Sequence, residues 1–199
     1  MLNKKQKTTI ILLLIVLSGM VGWFYEFIFY YLNSGMKEFY MRGGNFLPWI
    51  NIYAYGAFLI LLLTENRKDK PLQVFLISMI STGILEFLSG YILYGVLGWT
   101  KCWDYNQEAF TIINFGGYAS LRSILVFGLS GLLLVYVIVP LLKKLVQTKY
   151  LNTIFIISIV LCGIFILDEL YNLIFAKFLG FPKASYFYQQ LGFHYITFK

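Results

Sequence analysis

Long apolar runs separated by short polar connections form the dominant pattern of the chain. A run of about 18 or more apolar residues is long enough to cross a membrane as a helix. The pattern predicts about five spans, at residues 8–32, 48–64, 71–97, 122–142 and 150–176. We therefore expect an all-α fold, a polytopic transmembrane helix bundle, organised as a single transmembrane domain over residues 1–199.

Two segments of mixed polarity do not fit a span. The connection over residues 106–120 is interrupted by Gly116 and Gly117 and is too short to cross, so we predict an interfacial or re-entrant segment. The tail from residue 177 is aromatic but also contains Pro182 and Lys183. We predict that this C-terminal tail lies at the membrane interface.

The composition indicates a membrane environment and argues against one class of partner. Charged residues make up 13% of the chain and hydrophobic residues 59%, whereas a soluble domain carries roughly 25% charged residues. The basic residues behind the net charge of +7 lie in short loops and form no single basic face, which argues against a nucleic-acid partner. The expected partner is the lipid bilayer, with anionic headgroups facing the basic loops. The two cysteines, Cys102 and Cys162, do not suggest a disulfide framework.

Basic residues next to the span ends predict the orientation. Cytoplasmic loops are enriched in lysine and arginine close to the membrane. With a cytoplasmic N-terminus, nine such residues fall inside, in short segments at 4–7, 67–70 and 143–149, and seven fall outside. We therefore expect a multi-pass membrane protein with a cytoplasmic N-terminus and a C-terminus outside.

Carboxylates inside the apolar runs mark the expected site. Glu26, Glu86 and the pair Asp168–Glu169 lie in the first, third and fifth predicted spans. An ionisable residue within a span is costly in lipid, so it is expected to face protein or a water-filled cavity. At 1.5 Å per residue these positions lie ~22 to ~27 Å from the inner span ends, in the outer third of a core about 30 Å thick. We predict an outward-opening polar chamber.

The substrate-binding candidates combine these acids with basic and aromatic residues of the adjoining connections. They are Glu26, Arg42, Tyr53, Glu86, Trp103, Asp104, Tyr105, Arg122, Asp168 and Glu169. The acids outnumber the two arginines, which favours a cationic or zwitterionic ligand near aromatic faces. Two alternatives stay open: protonated acids bonded to one another, or acids neutralised by the arginines that only lock the bundle. The sequence has no strong metal-ligand set, and no cofactor is expected.

One motif resembles that of a catalytic serine. Residues 128–131, Gly-Leu-Ser-Gly, have the Gly-x-Ser-Gly form of intramembrane serine proteases. Such a serine needs a histidine base on a neighbouring span, and the one histidine of the sequence, His194, lies in the tail. Small residues for close helix packing are therefore the preferred interpretation. The sequence also has no nucleotide-hydrolysis or zinc motif, so no catalytic residue is assigned and whether the chain is an enzyme stays open.

Several short motifs stand in the order and spacing of one family of bacterial membrane proteins. They are Gly22-Trp23-Phe24-Tyr25-Glu26, Arg42-Gly43, Ile52-Tyr53-Ala54-Tyr55-Gly56-Ala57, Leu85-Glu86, Trp103-Asp104-Tyr105 and Gly117 to Leu121, followed by Gly128 and Pro140. Over residues 19–142 the chain resembles the putative ABC-transporter type IV family, also called CmpB-like permeases. The fifth span and the tail, residues 150–199, lie outside this family-like core.

The resemblance implies a permease or transporter component of a bacterial cell membrane. The expected partners are a separate ATPase subunit and further copies of the chain in a homo-oligomer. Two other functions stay open: a membrane-embedded enzyme acting on a lipid or cell-wall intermediate at the outer leaflet, and an accessory membrane protein with a structural polar cluster. The short loops at 65–70 and 143–149 leave little room for a cytoplasmic coupling element, which counts against the permease.

Overall fold

A computed structural model describes residues 2–99, 101–108 and 111–195. The long elements are helices, which confirms the predicted all-α class. The chain divides into two compact units. The first unit comprises the chain up to Ala54 and again from Val146, and the second unit runs from Tyr55 to Leu145.

In the part of the chain that the structure describes, four helices are long and apolar enough to cross a membrane. They cover Lys4–Asn33, Pro71–Val96, Leu121–Leu145 and Leu151–Phe178. Each corresponds to one of the predicted spans. Four such helices fit a multi-pass membrane protein.

The first unit is built on helix α1, Lys4–Asn33, which packs along helix α6, Leu151–Leu170. Helix α1 begins with a capping box, in which the Asn3 side chain accepts from the Gln6 amide and the Gln6 side chain accepts from the Asn3 amide. This reciprocal pair satisfies two donors that a helix N-terminus would otherwise leave open.

A tail and a short strand complete the first unit. Helix α6 continues as a π-helical turn, Tyr171–Phe175, and a short helix α7, Ala176–Phe178. The tail then forms helix α8, Ala184–Gln190, and strand β4, His194–Tyr195. Strand β4 pairs in parallel with strand β1, Tyr40–Met41. The tail therefore folds back onto the connection that follows α1.

Helix α2, Asn51–Thr64, passes from the first unit into the second and is shorter than the predicted second span. Its 14 residues extend ~21 Å, against a hydrocarbon core about 30 Å thick. The connection before this helix is held by other parts of the first unit. The amides of Phe46 and Leu47 donate to Asp168, and the amide of Ile50 donates to the Gly19 carbonyl.

The second unit continues from α2 into a long helix. A 3₁₀ turn, Glu65–Arg67, leads to helix α3, Pro71–Gly90, which continues as a π-helical segment, Tyr91–Val96. Proline at the first position suits a helix start, because the amide it lacks would have no partner within the helix.

The second half of this unit is a strand hairpin followed by one continuous helical run. Strands β2, Asn114–Phe115, and β3, Ala119–Ser120, form the hairpin. The run consists of helix α4, Leu121–Leu133, a π-helical segment, Leu134–Ile138, and helix α5, Val139–Leu145. The wider π turns end two residues before Pro140, which lacks an amide and would clash with a carbonyl of a regular helix.

Small residues form the contact between α3 and α4. A methyl group added at Gly131 would overlap the Ser78 side chain, and one added at Gly128 would lie 2.6 Å from the Phe75 ring. Ser130 points away from this contact and is exposed. These contacts support the packing interpretation of the Gly-x-Ser-Gly motif.

Gly131→Ala should therefore destabilise the helix pair, because the added methyl group needs the space of the Ser78 side chain. We expect the free energy of unfolding in detergent to fall by about 1–3 kcal/mol. The matched control is Gly163→Ala in α6, where nothing lies within 4 Å of the new methyl group. The control should change stability by at most about 1 kcal/mol.

The double variant Ser78→Gly/Gly131→Ala tests the assignment, because it returns the space that the methyl group takes. Partial recovery of stability would assign the loss to this one contact. Equal stability of Gly131→Ala and Gly163→Ala would contradict the close approach.

Candidate functional site

In the first unit, Glu26 and Arg42 form a largely buried ion pair. Both Nε and one terminal nitrogen of Arg42 lie 2.7 Å from Oε2 of Glu26, and the Tyr53 hydroxyl donates to Oε1 at 3.2 Å. The guanidinium lies 4.0 Å from the ring centre of Tyr30, and the Arg42 carbonyl accepts from the Trp23 indole at 3.0 Å. The structure thus brings together three predicted site residues, Glu26, Arg42 and Tyr53.

The close approach of α1 and α2 places Tyr53 in this cluster. The Tyr53 ring packs directly on Gly22, where a side chain would overlap it. Glycine at this position therefore lets the phenol pass α1 and reach Glu26, one helical turn further along.

Asp168 is fully engaged by donors of the first unit. Its Oδ1 accepts from the Phe46 amide at 2.9 Å and from the Asn172 side chain at 2.8 Å. Its Oδ2 accepts from the Leu47 amide at 3.0 Å and from the Trp49 indole at 3.1 Å. Four donors fill the acceptor capacity of a carboxylate. Asp168, predicted as a substrate contact, has the geometry of an anchor for the connection before α2.

The residue next to Asp168 is the last candidate of the first unit. Glu169 is partly buried, whereas Asp168 is only 6% exposed. Adjacent helical residues point about 100° apart, so the two carboxylates face different surroundings. The predicted chamber would draw on residues of both units, and it stays a prediction.

In the second unit, Glu86 is held by two hydroxyl groups. The Tyr105 hydroxyl lies 2.6 Å from Oε1 and the Ser123 hydroxyl lies 2.7 Å from Oε2. Glu86 is 4% exposed, and Tyr105 and Ser123 are also buried. Burial, together with the charge of Glu86 and the hydrogen bond to it, raises the pKa of Tyr105 well above its ordinary value. The phenol therefore keeps its proton and acts as a donor.

Asp104 organises the connection that carries Tyr105. Its carboxylate accepts from Lys101 at 2.7 Å, from the Asn106 amide at 3.0 Å and from the Gln107 side chain at 3.0 Å. Burial acts to raise the pKa of Asp104, but these donors outweigh it and hold the pKa below its ordinary value. The Tyr105 amide then donates to the Gly117 carbonyl at 3.0 Å, which ties this turn to the strand hairpin.

The other predicted residues of the second unit lie in or beside the same connection. Arg122 pairs with Glu108 at 2.8 Å, and its guanidinium lies 5.6 Å from the Tyr105 ring centre. The Trp103 indole donates to the Tyr118 carbonyl at 2.9 Å. Trp103 therefore has a clear structural role in holding the hairpin.

Several contributors to these clusters were not predicted, among them Asn172, Lys101, Glu108 and Ser123. Ser123 had a signal in the sequence, because Ser120 and Ser123 have the spacing of a helix N-cap and its partner, and they form that capping pair. Glu108 and Lys101 had no such signal in the sequence, because a single charged residue in a polar connection normally faces water.

The long apolar helices fit a multi-pass membrane protein. They carry carboxylates that are largely buried and hydrogen-bonded by donors of the same chain. A comparison with family models identifies the class: the family described as "Putative ABC-transporter type IV" matches residues 13–173. The chain belongs to this family, which confirms the resemblance and extends it from residues 19–142 to include Asp168. No curated protein and no solved structure matches the chain.

Asp168→Asn tests the anchor. The substitution turns one acceptor oxygen into a donor, so two of the four donors lose their partner whichever oxygen is replaced. We expect the free energy of unfolding in detergent to fall by about 2–4 kcal/mol. Asp69→Asn makes the same chemical change at an exposed position and should have an effect near zero. Equal stability of the two variants would contradict the anchor.

Proposed function

We propose that the protein is the membrane-spanning permease component of a transporter and works with a separate ATPase. The observation that carries the proposal is the family match, which reaches into all four long helices and includes Glu26, Glu86 and Asp168. Ionisable residues inside apolar helices support it, because such residues commonly mark solute or ion paths.

The cluster of Glu26, Arg42 and Tyr53 is the part of these networks best suited to a solute. The Glu26 side chain keeps 18% of its surface exposed, in contrast to the buried Glu86 and Asp168. The ammonium group of a solute would form an ion pair with the Glu26 carboxylate, and the carboxylate of a zwitterionic solute would form one with Arg42. Aromatic faces beside the pair favour an organic cation. The proposed solute is therefore a cationic or zwitterionic amine.

Purification of the tagged chain from its native membrane in mild detergent tests the permease. We expect a nucleotide-binding subunit to copurify, together with ATP hydrolysis. Neutralising the proposed cytoplasmic loop with Arg67→Ala, Lys68→Ala and Lys70→Ala should release the subunit. The matched control, Lys37→Ala with Lys183→Ala on the proposed outer side, should retain it.

A structural, accessory role is the second candidate function, and one observation favours it. Asp168 has four donors within the described chain and its acceptor capacity is filled. A chain that purifies with lipid alone and shows no ATP hydrolysis would support this role and contradict the permease.

The ligand class has its own test, in which ligand-induced thermal stabilisation of the purified protein is measured. Choline and glycine betaine should raise the unfolding temperature, and acetate should not. The rise should vanish in Glu26→Gln/Arg42→Gln, which removes both charges and leaves neither buried alone. Glu38→Gln, at an exposed acid, should keep the response. Stabilisation by acetate, or an unchanged response in the double variant, would contradict the charge argument.

The proposed orientation places the N-terminus in the cytoplasm and the C-terminus outside, since the basic segments lie next to the inner span ends. With Cys102 and Cys162 replaced by serine, a cysteine at exposed Lys183 should react with an impermeant thiol reagent in intact cells. A cysteine at exposed Lys70 should react only after the membrane is opened. The reverse pattern would refute the orientation.

A further inference from the structure

The Ser123 hydroxyl beside Glu86 lies within hydrogen-bond distance of two acceptor oxygens, although it has one proton to donate. Ser123 Oγ lies 2.7 Å from Glu86 Oε2 and 2.8 Å from the Ser120 carbonyl oxygen. A serine hydroxyl has one proton to donate and two lone pairs that accept. Only one of these two oxygens can receive the Ser123 proton at a time, so the other short contact needs a different explanation.

In the ionised state of Glu86, the Ser123 proton points to Oε2. The Tyr105 hydroxyl donates to Oε1, so each oxygen of the carboxylate receives a short, charge-assisted hydrogen bond. The Ser120 carbonyl loses the Ser123 proton but, as the N-cap carbonyl of α4, still accepts the first hydrogen bond within the helix.

In the protonated state of Glu86, the same atoms bond in the opposite direction. A proton on Oε2 is donated to Ser123 Oγ, and the Ser123 proton turns to the Ser120 carbonyl. Oε1 is then a carbonyl oxygen and still accepts from Tyr105. Ser123 Oγ also accepts from the Ser120 amide at 3.1 Å, so the longer 3.3 Å contact from the Ser120 hydroxyl is the one that weakens.

The surroundings allow this reversal. Tyr105 keeps its proton in both states because burial and the nearby Glu86 raise the pKa of the phenol. The charged groups on this side are Arg122 over the Tyr105 ring, Glu108 paired with Arg122, and Asp104 paired with Lys101. Helix α2 carries no charged residue, and α3 carries no other acid or base.

We propose that Glu86 is a reversible proton-binding site, in which the Ser123 hydroxyl turns between Glu86 and the Ser120 carbonyl as the proton enters or leaves. One proton is gained on Oε2 and one hydroxyl rotates. The coupling of this proton to solute movement rests on the proposed transporter function, whereas the binding of the proton does not.

Infrared difference spectroscopy of the full chain in lipid nanodiscs tests the proton site. Between about pH 6.5 and about pH 9, where exposed carboxyls with a pKa of about 4 are almost fully ionised, a protonated-carboxyl C=O band should appear at the acid end and vanish at the alkaline end. The band should be lost in Glu86→Gln and kept in Glu65→Gln, the matched change at an exposed acid.

Ser123→Ala and Tyr105→Phe assign the band without removing the carboxyl group, which keeps the test decisive even where Glu86→Gln does not fold. Each should keep the band and move it to higher frequency, because the protonated carboxyl loses one hydrogen bond. The absence of a titrating band in the unmodified protein would overturn the proposal. So would a band that Ser123→Ala and Tyr105→Phe leave unshifted. Neither result depends on whether an ATPase copurifies.

Discussion

A carboxylate inside an apolar helix must find its hydrogen-bond donors within the protein, because lipid offers none. Three acids meet this requirement with different donors. Glu26 is held by a guanidinium and a phenol, Glu86 by two hydroxyls, and Asp168 by two main-chain amides, an indole and a side-chain amide. Many of these donors lie in the connections, so the conformation of the connections depends on the acids.

The first unit shows how far this dependence extends. Asp168 binds the main-chain amides of Phe46 and Leu47, in the connection that leads to α2 at Asn51. The tail is tied to the same point, since the Asn172 side chain bonds both Asp168 and the Ala184 amide. The Tyr188 hydroxyl also donates to the Phe46 carbonyl. A single acid thus holds the connection before α2 and, through Asn172, the start of the tail helix.

The helices and the positions of the acids could be predicted, because apolar runs and the carboxylates within them are visible in a sequence. The pairing of Glu26 with Arg42 could also be predicted, because opposite charges were expected at the same depth in the membrane. The donors that bind Asp168 could not be predicted, because two of them are main-chain amides, which every residue type except proline carries. The partner of Arg122 was missed for a related reason: nothing in the sequence separates a buried Glu108 from an ordinary solvated acid in a connection.

The donor types separate fixed anchors from a group that can change state. A guanidinium or an amide N–H can only donate, so the donors of Arg42 and those around Asp168 have no way to accept a proton placed on their carboxylate. A hydroxyl can donate or accept. Of the three acids, Glu86 is the one whose second oxygen is bonded by a serine with an alternative acceptor within 2.8 Å. A chain with only fixed anchors would have a rigid polar interior, whereas the proposed proton site at Glu86 would let the charge of one buried acid vary.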